Sequence, residues 1–332
     1  MDLFQWVALT LRPRTVTSDQ AIYDWMESQS GRSLPVIYQP FDAGRAGHWH
    51  DRGAILDFLE VAGEGDLLDF GPGDGWPSLP LTPFVRSVTG VDGSRRRVEV
   101  CSANASRLGI TNFRSVFYQP GERLPFPDAS FDAVVASSSL EQTPNPAAVL
   151  LELHRVLRPG GRLRMWYESL EGYRRGQERE LWAFAPDAES TQFVLVDRLP
   201  DEERAVYLVL RFAAPMGAVA ERLGLPGSRI TLADLSIAGL EGLRPWLADV
   251  TTYGLSHPRC ERWQAMLLEA GFRSAVPTHG GSGFARRLFE TIDPTERPDS
   301  LEGVDRLLRP LVRLVVTMEA PPHLSPPITA VK

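Results

Sequence analysis

Lysine is nearly absent from this 332-residue chain: Lys332 is the only one, and arginine supplies the rest of the 35 basic residues. Chemistry that runs through a buried amine, such as Schiff-base formation, is therefore excluded. Cysteine is almost as scarce. Cys101 and Cys260 lie far apart without metal-ligand spacing, so neither a disulfide framework nor a metal site is expected. Long apolar runs are missing too, and nothing approaches the ~20 residues of a membrane span. The start, Met1 to Leu11 (MDLFQWVALTL), carries Asp2 and no basic residue, which does not read as a signal peptide. The expectation is a soluble cytoplasmic protein. Positive charge is in deficit, with 42 acidic residues and a net charge of −7. That is the wrong sign for gripping nucleic acid by its phosphates. The densest basic patch, Arg95-Arg96-Arg97, reads as a solvated helix start.

What is present is ordinary globular material, 43% hydrophobic and 23% charged. Thr17 to Ser28 reads as a short helix, followed by a loop rich in Pro, Gly and aromatics. A second helix is expected from Asp51 to Val61. Strands are then expected at 66–70, 87–91, 113–118, 131–136 and 161–166, with helices at 94–108 and 146–157 between them. This alternation implies an α/β fold with a parallel sheet covered on both faces. From Glu168 to Pro258 the rhythm breaks. Two apolar runs, TQFVLVDR and AVYLVLRFA, suit a hairpin, although the second equally suits a helix. Thr231 to Leu247 reads as one helix opened by a Thr231–Asp234 capping box. RWQAMLLEAGF is a helix stopped by Gly271, and 274–279 and 311–318 read as the last two strands.

The strongest local signal is Asp69-Phe-Gly71-Pro-Gly73-Asp-Gly75, directly after an apolar strand. Glycines there let the backbone turn sharply and bring N–H groups close to a ligand. The spacing is G-x-G-x-G, not the G-x-G-x-x-G of a dinucleotide site. Asp92 ends the next strand, where a carboxylate can accept bonds from both hydroxyls of a ribose.

From Asp66 to Met165 the sequence resembles a class I S-adenosylmethionine-dependent methyltransferase, of the branch with quinone and small-molecule acceptors. Five motifs carry the likeness in order: the glycine loop, Gly90-Val-Asp92-Gly-Ser94, Gly121-Glu-Arg-Leu-Pro-Phe-Pro-Asp-Ala-Ser-Phe-Asp132, Ser137-Ser-Ser-Leu-Glu-Gln-Thr-Pro144 and Arg155-Val-Leu-Arg-Pro-Gly-Gly161. The resemblance implies a doubly wound, mostly parallel seven-stranded sheet with helices on both faces. An N-terminal helical cap and a lid-like segment inserted after strand 5 complete the expected fold. The expected division is 1–50 as cap and loop, 51–167 with 259–320 as the Rossmann-like domain, 168–258 as insertion, and 321–332 as tail. S-adenosylmethionine is the implied cofactor. Asp69, Gly71, Gly73 and Gly75 would hold its methionine part, Asp92 its ribose, and Gly121 and Glu122 with Leu124 would flank its adenine. Ser137 would sit where cofactor meets substrate. Where the family often has an aspartate contacting the adenine amino group, this chain has Pro120.

Methyl transfer from a sulfonium is an in-line displacement in which alignment and exclusion of water do most of the work. A general base helps only when the acceptor must lose a proton. Candidates are His48 and His50, in the loop before the first domain helix, and Glu141 after the fourth strand. Tyr23, Tyr38 and His257 are further candidates for lining an acceptor pocket. The expected partner is a small organic molecule. The insertion, with Tyr173, Trp182, Phe193, Tyr207 and Phe212, suits a lid over it, and dimerisation is the alternative role. Two other functions compete: a regulatory protein that binds S-adenosylmethionine without turnover, and a nicotinamide-dependent oxidoreductase.

Overall fold

Short apolar runs bounded by Gly, Pro or Asp become strands in this protein, and the amphipathic runs between them become helices. The computed structural model describes residues 1–16, 41–173, 176–227 and 229–332. The chain divides into two units, Gly31–Glu168 with Arg259–Lys332, and Met1–Ser30 with Ser169–Pro258.

In the first unit α1 (Ala46–Ala62) leads into β1 (Asp66–Phe70), β2 (Ser87–Asp92), α2 (Arg95–Arg107), β3 (Phe113–Phe117), β4 (Phe131–Ser137), α3 (Pro146–Val156) and β5 (Leu157–Trp166). Beyond the insertion come α4 (Cys260–Glu269), β6 (Ser274–Pro277), α5 (Gly281–Thr291), α6 (Leu301–Val315) and β7 (Ile328–Val331). The seven strands lie in the order β6-β7-β5-β4-β1-β2-β3. The first five in sequence are parallel, and β7 is antiparallel to both its neighbours. Strand order reverses beside β1, so its carboxyl end lies at a topological switch point, where ligands bind in such sheets.

The pleat divides the strand residues between two cores. Leu68, Phe70, Val134, Ala136, Leu163 and Met165 pack with residues of α3 and α4. Leu67, Val88, Ala133 and Val135 pack with residues of α1, α5 and α6 on the other face. Burial on both faces explains why β1 and β4 read as continuous apolar runs. One buried ion pair ties the second face together. Arg164 on β5 forks onto Asp57 of α1 at 2.7 and 2.9 Å, both residues being 0% exposed. Asp57 also accepts the N–H of Gly281 at the start of α5, at 2.7 Å. Gly53 and Gly281 let α1 and α5 touch: a Cβ on Gly53 would stand 2.4 Å from the Gly281 carbonyl oxygen.

The second unit is a five-stranded sheet of Arg14–Thr15, Leu247–Ser256, Arg204–Phe212, Thr191–Leu199 and Arg179–Phe184, in that order. Among the described residues of this sheet, the Arg14–Thr15 pairing is parallel and the others are antiparallel. The runs at 191–199 and 204–212 form the expected hairpin. One face packs Phe193, Leu195, Leu210 and Phe212 against Phe4, Trp6 and Val7 and against the helices Met216–Arg222 and Ile237–Leu243. No helix among the described residues is long and apolar enough to cross a membrane.

Several expectations change. The first domain helix begins at Ala46, so His48 and His50 lie inside it rather than in a loop. Residues 311–318 are not a strand: most of them continue α6, whose stripe Val304, Leu308 and Val312 repeats every four residues and is fully buried. A window confined to the β-branched end of that helix hides its period, and Pro310 falls on the exposed side. The seventh strand instead comes from the stretch read as a tail, where Ile328–Val331 inserts between β5 and β6. Thr231–Asp234 does form a capping box, but the helix ends at once. Ser236 caps a new helix and Pro245 opens a last 3-10 turn. Residues 1–16 pack with the insertion's sheet. The expected helix at 17–28, with Tyr23 and Tyr38, lies outside the described residues.

Candidate functional site

β1 delivers the glycine loop to the carboxyl edge of the sheet. Gly71, Gly73 and Gly75 all have positive φ (74°, 58° and 116°), a backbone state that strains any residue with a Cβ. The loop is also packed tightly from two sides. A Cβ on Gly71 would meet the Ser139 side chain at 2.5 Å, and one on Gly90 of β2 would meet the Pro72 ring at 2.8 Å. At Gly73, by contrast, a Cβ would meet nothing within 4 Å, so that side of the loop is open.

Two carboxylates flank the loop. Asp69, opposite Gly90 and Val135 in the sheet, is 0% exposed. Its Oδ2 accepts the Ser78 hydroxyl at 2.6 Å, while its Oδ1 is buried with no hydrogen-bond partner. Burial pushes this carboxyl up to about 7, and the nearby Asp92 adds to the rise. Asp92 accepts the Ser94 N–H at 2.9 Å and the Gly73 N–H at 3.3 Å, and burial raises it to about 6 against those bonds. An orphaned buried acceptor beside an open glycine turn has an energetic demand that a ligand donor can meet. An ammonium group and ribose hydroxyls are such donors, so these residues fit the S-adenosylmethionine that the sequence resemblance implies.

Ser137 ends β4, and the chain then turns through Ser138 in the left-handed region at φ 49°. Ser139 follows, and its hydroxyl donates to the Phe70 carbonyl at 2.6 Å, which brings the end of β4 against the glycine loop. Glu141 is 1% exposed. Its Oε1 accepts the Glu168 N–H at 2.8 Å, its Oε2 has no partner, and burial raises it to about 7. Gly121 has φ 84° and Glu122 is exposed. Both line a cavity of about 160 Å³ with Tyr118, Leu124, Asn145 and Val149.

The two candidate histidines do not converge. Residues two apart on a helix point some 200° apart, and the buried Trp49 lies between them in sequence. His48 Nδ1 accepts the Asp42 N–H at 2.7 Å, while His50 Nδ1 is buried without a partner. His257 belongs to the other unit, and its backbone N–H donates to the Glu203 carbonyl. Sequence reasoning missed Ser78, Ser139 and Asn104. Their contacts to Asp69, Phe70 and the Asp74 carbonyl join residues 9, 69 and 30 positions apart. Only Asn104 left a trace in the sequence, as a polar residue on the same helical stripe as Cys101. A groove of about 450 Å³ at the amino edge, lined by Asp66, Thr89 and Arg114 among others, lies at the opposite end of the strands from this loop.

Residues 68–165 match a family model described as "Methyltransferase domain". The chain is 35% identical over 114 residues to an uncharacterized methyltransferase, YcgJ, of Bacillus subtilis, covering 34% of this chain and 44% of that protein. It is 37% identical over 131 residues to the 27-O-demethylrifamycin SV methyltransferase of Amycolatopsis mediterranei, covering 35% and 48%. A third relative is the demethylmenaquinone methyltransferase of Tropheryma whipplei, 34% identical over 116 residues, with 35% and 46% covered. The chain spans less than half the length of these curated relatives. Over residues 68–165 the chain is thus similar to methyltransferase domains.

Proposed function

We propose that this chain transfers the methyl group of S-adenosylmethionine to a small organic acceptor. The observation that carries the reading is the open glycine turn between two buried carboxylates, one with an orphaned oxygen, inside a methyltransferase domain. The bound cofactor would supply an already activated methyl group on sulfur. Gly71, Gly73 and Gly75 would let the backbone approach it closely, Asp69 would accept from its ammonium end, and Asp92 would accept from its ribose. The loop of Gly121 and Glu122 would border the adenine, and Ser137 would face the reacting centre. Pro120 offers no acceptor side chain there, so the backbone or Glu122 would take that role.

The protein's contribution to rate is alignment of the acceptor with the S–CH3 axis and exclusion of water, and effective molarities of ~10⁵ M or more need no catalytic side chain. Where the acceptor must lose a proton, Glu141 is the candidate base. Its rise to about 7 suits proton transfer near neutral pH, and its second oxygen is unpaired. His48 and His50 are weaker candidates, because one ring is engaged by backbone and the two diverge. The segment 168–258 would choose the acceptor, since the chain enters it at the carboxyl end of β5.

Calorimetric titration with S-adenosylmethionine, S-adenosylhomocysteine and NAD tests the reading. Saturable binding of both sulfur compounds and none of NAD is expected. Failure of both sulfur compounds to bind at millimolar concentration overturns it.

A further inference from the structure

The first turn of α2 carries three arginines and no acid, the wrong charge for the positive end of a helix. Arg95 lies 3.9 Å from the centre of the Phe117 ring, and Arg96 pairs with Glu99 at 3.3 Å. Arg97 faces differently. It shares a stripe with Cys101 and Asn104, four and seven residues on, and that spacing puts all three on one side of the helix. Cys101 is 0% exposed and feels the carboxylates of Asp69, Asp74 and Asp92 together. Asn104 is 1% exposed, and its amide donates to the Asp74 carbonyl at 2.6 Å, inside the glycine loop. Arg97 acts on the carboxylates of both Asp74 and Asp92 and favours their charged forms against burial.

We infer that this stripe of α2 is a positioning element for the cofactor loop. In it Asn104 clamps the loop backbone at Asp74, and Arg97, on the same face of the helix, presents its charge to the same loop. Neither residue touches the cofactor; each sets its affinity through the loop. The inference rests on the proposed cofactor. It also explains why a cation stands where the helix dipole disfavours one: it serves the site at the expense of the helix.

The two roles separate experimentally, with S-adenosylhomocysteine as the probe. Arg97→Gln should weaken its binding about five-fold or more, the scale of one charge-assisted contact. Arg97→Lys should recover most of the affinity. In an Asp74→Asn background Arg97→Gln should have a much smaller effect, since the two residues act on each other. Asn104→Ala should weaken binding while Asn104→Asp, which keeps size but not the donor, fails to restore it. Affinity in Arg97→Gln and Asn104→Ala within two-fold of the parent overturns the inference. So does failure of Arg97→Lys to recover the affinity that Arg97→Gln loses. No binding by the parent protein overturns the cofactor reading instead.

Discussion

Asp92 was legible from its neighbours alone, because a strand end and a fixed distance from the glycine loop are local facts. Its buried state was not legible, and that state has consequences. Asp92→Ala should weaken S-adenosylhomocysteine binding by at least ~1.5 kcal/mol, the scale of hydrogen bonds to a charged group, as read by titration calorimetry. Asp69, Asp92 and Glu141 are raised to about 7, 6 and 7 by burial, well above an unfolded carboxyl. Between ~pH 4 and the raised values the folded chain binds more protons than the unfolded one, so stability falls as pH rises. The contribution is complete below the unfolded value and is lost as pH passes through 6 to 7. The ligand-free protein should therefore melt at a lower temperature at ~pH 8 than at ~pH 5.5, and Glu141→Gln should flatten that dependence. A slope of the opposite sign would show that these carboxyls are ionised in the fold.

Elements with a complete local pattern were foreseeable to within a few residues: β1, β2, β4, α2, α3 and α4 all fall close to where their periodicity puts them. α6 was not, because its apolar, β-branched end resembles a strand when read without the Val304–Leu308–Val312 stripe that begins before it. Ile328–Val331 was missed for the opposite reason. Four residues among prolines carry no period, and they form a strand only because β5 and β6 offer edges on both sides. The Asp57–Arg164–Gly281 contact ties α1, β5 and α5 together. Asp57→Ala strands a buried guanidinium and should cost about 3–5 kcal/mol in denaturant unfolding. A loss under 1 kcal/mol would mean that Thr278, Thr329 and the His279 carbonyl, its other partners, suffice to hold Arg164.

At the scale of the whole molecule, each unit has a hydrophobic core of its own among the described residues. The glycine loop, both flanking carboxylates and Glu141 all belong to one unit. A chain with 169–258 replaced by a short Gly-Ser connection and 1–16 removed should therefore still bind S-adenosylhomocysteine, within about ten-fold of the full chain by calorimetry. It should lose turnover of whatever acceptor the full chain methylates. Complete loss of binding in a shortened chain that retains its circular-dichroism spectrum would show that the inserted unit holds the cofactor as well.

The glycine spacing, the acid before it and the acid after it depend on backbone geometry over a few residues, so the sequence by itself determined that loop with its flanking acids and the alternating α/β plan. The partners that tune that site arrive from far along the chain. Ser78 reaches Asp69, Asn104 holds Asp74, Ser139 anchors on Phe70, and the Glu168 N–H meets Glu141. Burial and long-range pairing create those contacts. Only the tertiary structure decided which acids are buried, which oxygen is left without a partner, and that His48 and His50 turn away from each other on a helix.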